Sequence, residues 1–401
     1  MKKIFYPLII ISCFPLFASA QESDSDTLQG DPSKLNEVVV YVNKFPELSR
    51  YVAQDIKLIK NKTALNLQAN TADVLINSGA LFVQKSQQGG GSPVIRGFEA
   101  SRVLLMIDGI RMNNAIYRAG HLQNIITVDN MTLDRIEILN GPSSTMYGSD
   151  ALGGVISMYT RNPLLSKSGK SEVSGSVTAR YGTAVSEARG NAIINIGGKH
   201  LASLTSVTYG SFGDVVQGDN RDDKYPEFGR KIFYVQRFNN TDSAVANPDP
   251  NEQIASAYKQ IDVTQKFLYQ PKANIQHILN LQFSNSDDVP RYDRLSEVGG
   301  NGSPAYAEWY YGPQTRNMGA YHFNATKLGG FFEDLKITAS YQDIAESRIS
   351  RRFKSNNKDY RWEHVNVFGV AADAKHYSGK NEVHIGAESY SNFVRSTAQR
   401  R

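Results

Sequence analysis

From residue 172 onward, apolar and polar side chains alternate in segments of about ten residues, the length of a membrane-crossing strand. In the stretch Ile275-Gln276-His277-Ile278-Leu279-Asn280-Leu281-Gln282-Phe283, Leu279, Leu281 and Phe283 share one face and Asn280 and Gln282 the other. Val365-Asn366-Val367-Phe368-Gly369-Val370 is a second such segment. A period of two marks a strand whose faces meet different surroundings. Nine segments follow this pattern, at 173–181, 188–197, 202–212, 257–269, 273–284, 319–328, 335–349, 361–376 and 381–395. Short turns join them at 198–200, 270–272, 329–334 and 377–380. Longer polar loops lie at 213–256, 285–318 and 350–360, while the connection at 182–187 is brief. Short turns on one side and long loops on the other predict an antiparallel transmembrane β-barrel. Tyr181, Tyr209, Tyr258, Tyr269, Tyr341 and Tyr377 fall near strand ends, where an aromatic girdle would sit. An odd number of strands leaves such a barrel open, with an edge that lipid does not tolerate. The chain is therefore expected to be an N-terminal piece of a longer protein.

The pattern before residue 166 is different. Residues 49–165 read as an α+β domain with short elements and many tight turns. Asn70 is placed to cap a short helix through Val74, Leu75 and Ile76, which Gly79 stops. Strands are expected at 81–85, 103–107, 136–139 and 155–159, with Asp108-Gly109 turning the second of these into Ile110-Arg111-Met112. Residues 87–92 (QQGGGS) read as a flexible loop. Further upstream, residues 21–34 are polar, and Leu35-Asn36-Glu37-Val38-Val39-Val40-Tyr41-Val42 forms a β-prone island. It reads either as an edge strand of the next domain or as a strand offered to a partner's sheet. Nothing beside it in sequence would bury its valines. Residues 1–20 read as an export signal: Lys2 and Lys3, an apolar segment from Ile4 to Phe17, then Ala18-Ser19-Ala20 for cleavage.

Composition removes several alternatives. Mean hydropathy is −0.40 and only the N-terminus carries a long apolar run, which argues against a helical membrane protein. The 44 basic and 39 acidic residues are interleaved, without the basic stripe that nucleic acid requires. Cys13 is the only cysteine, so disulfides and thiolate metal sites are not expected.

The glycine-rich stretch 141–158 (GPSSTMYGSDALGGVISM) raises the question of a phosphate cradle. It contains no lysine, and its glycines at 141, 148, 153 and 154 precede a strand, so neither a P-loop nor a dinucleotide fingerprint fits. No Gly-x-Ser-x-Gly and no His-Glu-x-x-His occurs, and the seven histidines are scattered. The reading is of a protein that is not an enzyme.

Three stretches resemble TonB-dependent outer-membrane receptors. Glu37, Val38, Val39, Val40 and Tyr41, with Val42, resemble a Ton box. Val94-Ile95-Arg96-Gly97-Phe98 followed by Val103-Leu104-Leu105-Met106-Ile107-Asp108-Gly109 resembles the middle of the family's plug. Arg135-Ile136-Glu137-Ile138-Leu139-Asn140-Gly141-Pro142, followed by residues 147–156 (YGSDALGGVI), resembles its end. The resemblance implies a signal peptide at 1–20, a periplasmic segment with the Ton box at 21–48, an α+β plug at 49–165 inside the lumen, and the N-terminal part of the barrel at 166–401. It further implies a Gram-negative outer-membrane protein surrounded by lipid, with its plug facing the periplasm and its long loops outside. TonB, driven by ExbB–ExbD, would pull on residues 37–42. Arg96, Arg135 and Glu137 would take part in ion pairing between plug and barrel.

Within the family, residues 108–124 (DGIRMNNAIYRAGHLQN) and Val289-Pro290-Arg291-Tyr292-Asp293-Arg294-Leu295 resemble the haem and haemoglobin receptors. On that resemblance His121 is the candidate axial ligand of haem iron, and Tyr117 the candidate to stack on or ligate the porphyrin. Haem is then a transported ligand, not a resident cofactor, and no other metal is expected. A ferric siderophore is the alternative cargo, and a surface-binding barrel without transport is the alternative of another class.

Overall fold

The computed structural model describes residues 39–40, 44–49, 52–60, 65–117, 125–379 and 381–401. The export signal and the polar segment up to residue 38 lie outside the described residues. Two short paired strands, β1 (Val39–Val40) and β2 (Glu47–Leu48), lead into the first domain. Its strands are β3 (Asp55–Ile59), β4 (Phe82–Gln84), β5 (Ser92–Val94), β6 (Val103–Ile107), β7 (Ile110–Arg111), β8 (Leu133–Asn140) and β9 (Gly154–Thr160). A mixed sheet of order β3-β8-β9-β6-β7 forms its centre, with β6 and β9 parallel.

All five residues of β6 are buried because both faces of the sheet are covered. Val103, Leu105 and Ile107 pack with Leu75 and Val83, and Leu104 and Met106 pack with Leu139, Tyr147 and Val155. A fully buried aliphatic side chain contributes about 1.5–3 kcal/mol, so β6 supplies much of this domain's cohesion. The helix Thr71–Asn77 begins as its sequence indicates, the Asn70 side chain accepting from the Asp73 N–H at 3.0 Å. The stretch 141–158 closes the domain. At Gly154 a Cβ would lie 2.4 Å from the Leu139 carbonyl oxygen, so only glycine allows β9 to enter the sheet there.

Nine long antiparallel strands follow in sequence order: β10 (Glu172–Gly182), β11 (Glu187–Gly197), β12 (Leu201–Phe212), then β17, β18, β21, β22, β23 and β24. The first long loop carries β13 (Val215–Val216), β14 (Phe233–Phe238), β15 (Thr241–Ala246) and β16 (Glu252–Gln253). Next come β17 (Tyr258–Lys272) and β18 (Ile275–Ser286), then a loop with β19 (Val289–Pro290) and β20 (Tyr306–Tyr311). The remaining wall strands are β21 (Thr315–Ala325), β22 (Asp334–Arg352), β23 (Lys358–Ser378) and β24 (Asn381–Arg400). Each of the nine segments read from alternation is one of these strands.

The wall is inverted relative to a soluble sheet. Its inner face buries Asn191, Thr208, Lys266, Asn280, Gln282, Arg316 and Gln342, while Ile194, Phe267, Leu279, Leu281, Phe283 and Phe368 are exposed on the outer face. Apolar outside and polar inside is the arrangement of a β-barrel in lipid. The fold is thus a transmembrane antiparallel β-barrel wall with an α+β plug against its inner face. Among the described residues no helix is long and apolar enough to cross a membrane, which says nothing against a barrel.

Candidate functional site

The seam between plug and wall and the N-terminal segment leading into it carry most of the polar chemistry. Asp108 sits at the β6–β7 turn with φ of 50°, followed by Gly109 at 81°. This aims its carboxylate at the wall. Oδ1 accepts from the Thr160 N–H at 2.8 Å, and Oδ2 from the Thr160 hydroxyl at 2.6 Å. From the wall, the Asn280 and Gln282 amides donate to Oδ2 at 2.9 and 3.0 Å, and Lys266 Nζ lies 3.2 Å away. Burial alone would raise the Asp108 pKa. Lys266 and the Thr160 hydrogen bonds outweigh it and hold the carboxyl below its ordinary value.

Other contacts repeat this theme along the seam. Asp129 of the plug pairs with Arg189 of β11 and accepts from the Thr208 hydroxyl of β12 at 2.5 Å. Gln260 of β17 donates to the Ile126 carbonyl at 2.8 Å, and Gln342 of β22 to the Arg111 carbonyl at 2.9 Å. Arg111 bridges Asp150 of the plug at 2.9 Å and Glu388 of β24 at 2.8 Å. Sequence reasoning missed these pairs, because the partners are far apart in sequence. The only local signal was charge at inward positions of alternating strands.

The expected ion-pairing residues lie differently. Arg135 pairs with Glu137 at 2.7 Å and Asp134 at 3.3 Å, and its guanidinium stacks 4.0 Å from the Tyr159 ring centroid. These contacts are internal to the plug. Arg96 is exposed and forms no ion pair among the described residues. The described plug–wall pairs belong instead to Asp108, Arg111 and Asp129.

Of the proposed TonB-contacting residues, Val39 and Val40 are described as β1, and Glu37, Val38, Tyr41 and Val42 lie outside the described residues. Val40 corrects the expectation that these valines have no core. It is 1% exposed and packs with Leu104, Met106, Leu139, Tyr147 and Val155. Long-range folding supplies the cover that the local sequence lacks. Just downstream, Lys44 bridges Asp373 at 2.9 Å and Glu388 at 3.6 Å, and Phe45 packs edge-on against His384.

The haem candidates also separate. His121 lies outside the described residues. Tyr117 is buried with Ile116, Ile344, Val365 and Val367, and its hydroxyl is 3.3 Å from Glu346 Oε1 on β22. Burial, with Glu346 beside it, pushes this hydroxyl well above its ordinary pKa. Tyr117 therefore joins plug to wall here. The loop 87–92 is another correction. Gln87, Gln88 and Ser92 are buried, and Gly89 abuts Tyr258 of β17, so it is a packed seam element and not a flexible one.

At the long-loop end, Asp242 of β15 is buried and accepts from Arg351 of β22 at 2.6 Å and from the Lys354 N–H at 2.8 Å. Arg291 stacks over Trp309 at 4.6 Å, and Tyr360 on Trp362 at 5.2 Å, forming a cationic and aromatic surface. Arg291 opens the short helix Tyr292–Leu295 in the segment that resembles haem receptors.

Comparison with known proteins agrees with this architecture. Residues 48–155 match the TonB-dependent receptor plug domain. A vitamin B12 transporter, BtuB, of Vibrio vulnificus (strain CMCP6) is 26% identical over 327 residues, covering 80% of this chain and 41% of the relative. A hemin receptor of Yersinia enterocolitica is 33% identical over 158 residues, covering 38% of this chain and 22% of the relative. The chain thus spans less than half the length of these relatives. Among solved structures, the copper transporter OprC superposes with a TM-score of 0.66 at 12% identity, covering 86% of this chain and 47% of that one. These relatives are named as transporters and receptors. Residues 48–155, which match the TonB-dependent receptor plug domain, are thus seated against the inner face of a transmembrane β-barrel wall.

Proposed function

We propose that this chain serves TonB-dependent active transport across the Gram-negative outer membrane, with haem, free or taken from a haem protein, as its cargo. The observation that carries the transport reading is the plug itself. It is riveted to β11, β12, β17, β18, β22 and β24 by hydrogen bonds and buried ion pairs. Such a plug blocks diffusion and needs work to move. TonB, energised through ExbB–ExbD, supplies that work by taking residues 37–42 as an added strand. The plug then faces the periplasm and the long loops face outward.

The haem reading rests on the resemblance of residues 108–124 and 289–295 to haem receptors, and the hemin receptor relative supports it. His121 is the proposed iron ligand. Tyr117 is proposed to act through its contact with Glu346 of the wall. The longer alignment to a vitamin B12 transporter favours a corrinoid as the second reading. Ferric siderophores are a third cargo class.

Haemin titration of the refolded full-length receptor, read at the Soret band, tests the cargo. A shift that is lost in His121→Ala supports haem. No shift with haemin, or tight binding of cyanocobalamin or a ferric siderophore instead, overturns it. Deleting residues 37–42 tests transport separately: uptake should vanish while binding persists. Uptake that survives the deletion would leave a surface-binding barrel.

A further inference from the structure

At the short-turn end of the seam lies a cavity of about 240 Å³, lined in part by residues 44–46. Its lining is strongly unbalanced in charge. Lys44, Arg135, Lys266 and Lys336 line it, with Asp108 as the one carboxylate among the described lining residues. Most of these cations are answered. Lys266 pairs with Asp108, Lys44 with Asp373 and Glu388, and Arg135 with Glu137.

Lys336 is the exception. It lies on β22 in register with Asp373 of β23, whose Oδ1 accepts from Lys44 at 2.9 Å. Among the described residues Lys336 has no ion pair. His322 is the second feature. It is 5% exposed, and its Nδ1 lies 3.2 Å from the Thr338 hydroxyl. Its Nε2 is buried without a hydrogen-bond partner among the described residues, and the residue lines the cavity. A buried polar atom left unsatisfied is costly, so a native one calls for a partner. His322 and Lys336 are near neighbours on the inner face, since His322 is in register with Thr338, two residues along β22 from Lys336. Phe45 and Ile278 supply an apolar side to the same cavity.

We propose that this cavity binds the carboxylate of a small organic acid. Lys336 Nζ and His322 Nε2 donate to the carboxylate, and the acid's short hydrocarbon portion rests against Phe45 and Ile278. With the imidazole proton on Nε2, the tautomer a carboxylate needs, Nδ1 is free to accept from the Thr338 hydroxyl. Charge-assisted hydrogen bonds of this kind are among the stronger polar contacts. Because residues 44–46 line the same cavity, an occupant also steadies this N-terminal segment. The inference stands on the seam geometry and is independent of the cargo.

The test is calorimetric titration of butyrate into the full chain in a neutral detergent. Saturable binding is expected, weaker by about tenfold or more in both Lys336→Gln and His322→Gln. Lys199→Gln, at an exposed turn, should bind as the parent does. Butyrate should bind more tightly than acetate and inorganic phosphate, and hydrogen exchange of residues 44–48 should slow when it is bound. Absence of saturable binding, or equal affinity in Lys336→Gln and the parent, overturns the proposal. If His322→Gln does not fold, Lys336→Gln decides alone. Loss of haemin uptake or binding elsewhere leaves this outcome unaffected.

Discussion

Lys266 Nζ of the wall lies 3.2 Å from Asp108 Oδ2 of the plug, and both side chains are almost wholly removed from solvent. The pair joins the two parts of the fold at the tip of a tight turn. Removing one member of a buried pair strands the other charge, at a cost of about 3–5 kcal/mol. Asp108→Asn and Lys266→Met should each destabilise the seam by that order. The double variant should recover much of the loss. Denaturant unfolding in detergent, read by hydrogen exchange at residues 103–111, would measure the coupling. Additive losses in the double variant would show that the pair is not coupled.

The same pair sets a pH dependence. The folded-state pKa of Asp108 is lowered from 3.8, so the unfolded chain binds the proton more readily. Its stabilising contribution is full above 3.8 and disappears as pH falls through the lower folded-state value. The stability difference between the parent and Asp108→Asn/Lys266→Met should therefore be flat from neutral pH down to about that ordinary carboxylate value and shrink only below it. A difference that shrinks already near pH 6 would contradict the arrangement.

Val40 gives a second handle. Its burial among Leu104, Tyr147 and Val155 means that Val39 and Val40 can pair with a partner only after β1 leaves β2 and the plug core. Val40→Ser removes about 1.5–3 kcal/mol of burial, or at least a tenfold change in that release. A soluble TonB C-terminal fragment should bind the variant about tenfold or more tightly, and amide exchange at residues 39–48 should accelerate. Unchanged affinity would mean that β1 release does not limit partner access.

At the opposite end, Asp242 fastens the first long loop to β22 through Arg351, with Arg237 also 3.2 Å away. Each hydrogen bond to a charged group contributes about 1.5–3 kcal/mol. Asp242→Ala should leave the plug and wall intact but free the loop. Limited proteolysis should then cut within residues 213–256 at a clearly higher rate. Cleavage at the parent rate would place the fastening elsewhere.

Much of this architecture is legible in the chain. The nine wall strands follow from a period of two, because each strand meets lipid on one face and the plug on the other. The Asn70 cap, the Asp108-Gly109 turn and the apolar run of β6 are equally local signals. The seam is not local. Asp108 reads only as a turn residue until Lys266, Asn280 and Gln282 arrive from strands more than a hundred positions away. Val40 reads as an uncovered valine until Tyr147 and Val155 close over it. Arg96 and Arg135 stand at recognisable motif positions, yet no described contact takes either across to the wall.

Gly89 tests the most misleading of the local signals. Three consecutive glycines between glutamines and serine suggest freedom, yet a Cβ at Gly89 would lie 2.3 Å from the Tyr258 hydroxyl oxygen and 2.8 Å from Ile126 Cδ1. Tyr258 is itself held by stacking on Phe212 with centroids 4.5 Å apart, so it cannot easily move aside. Overpacking of this kind costs about 1–3 kcal/mol. Gly89→Ala should destabilise the plug by that amount, and Tyr258→Ala in the same chain should relieve part of the cost by opening space. A flexible linker would behave in the opposite way, since Gly→Ala in a mobile loop is neutral or mildly stabilising. Thermal unfolding of the parent, Gly89→Ala and the double variant separates these outcomes: a neutral Gly89→Ala would return the loop to solvent.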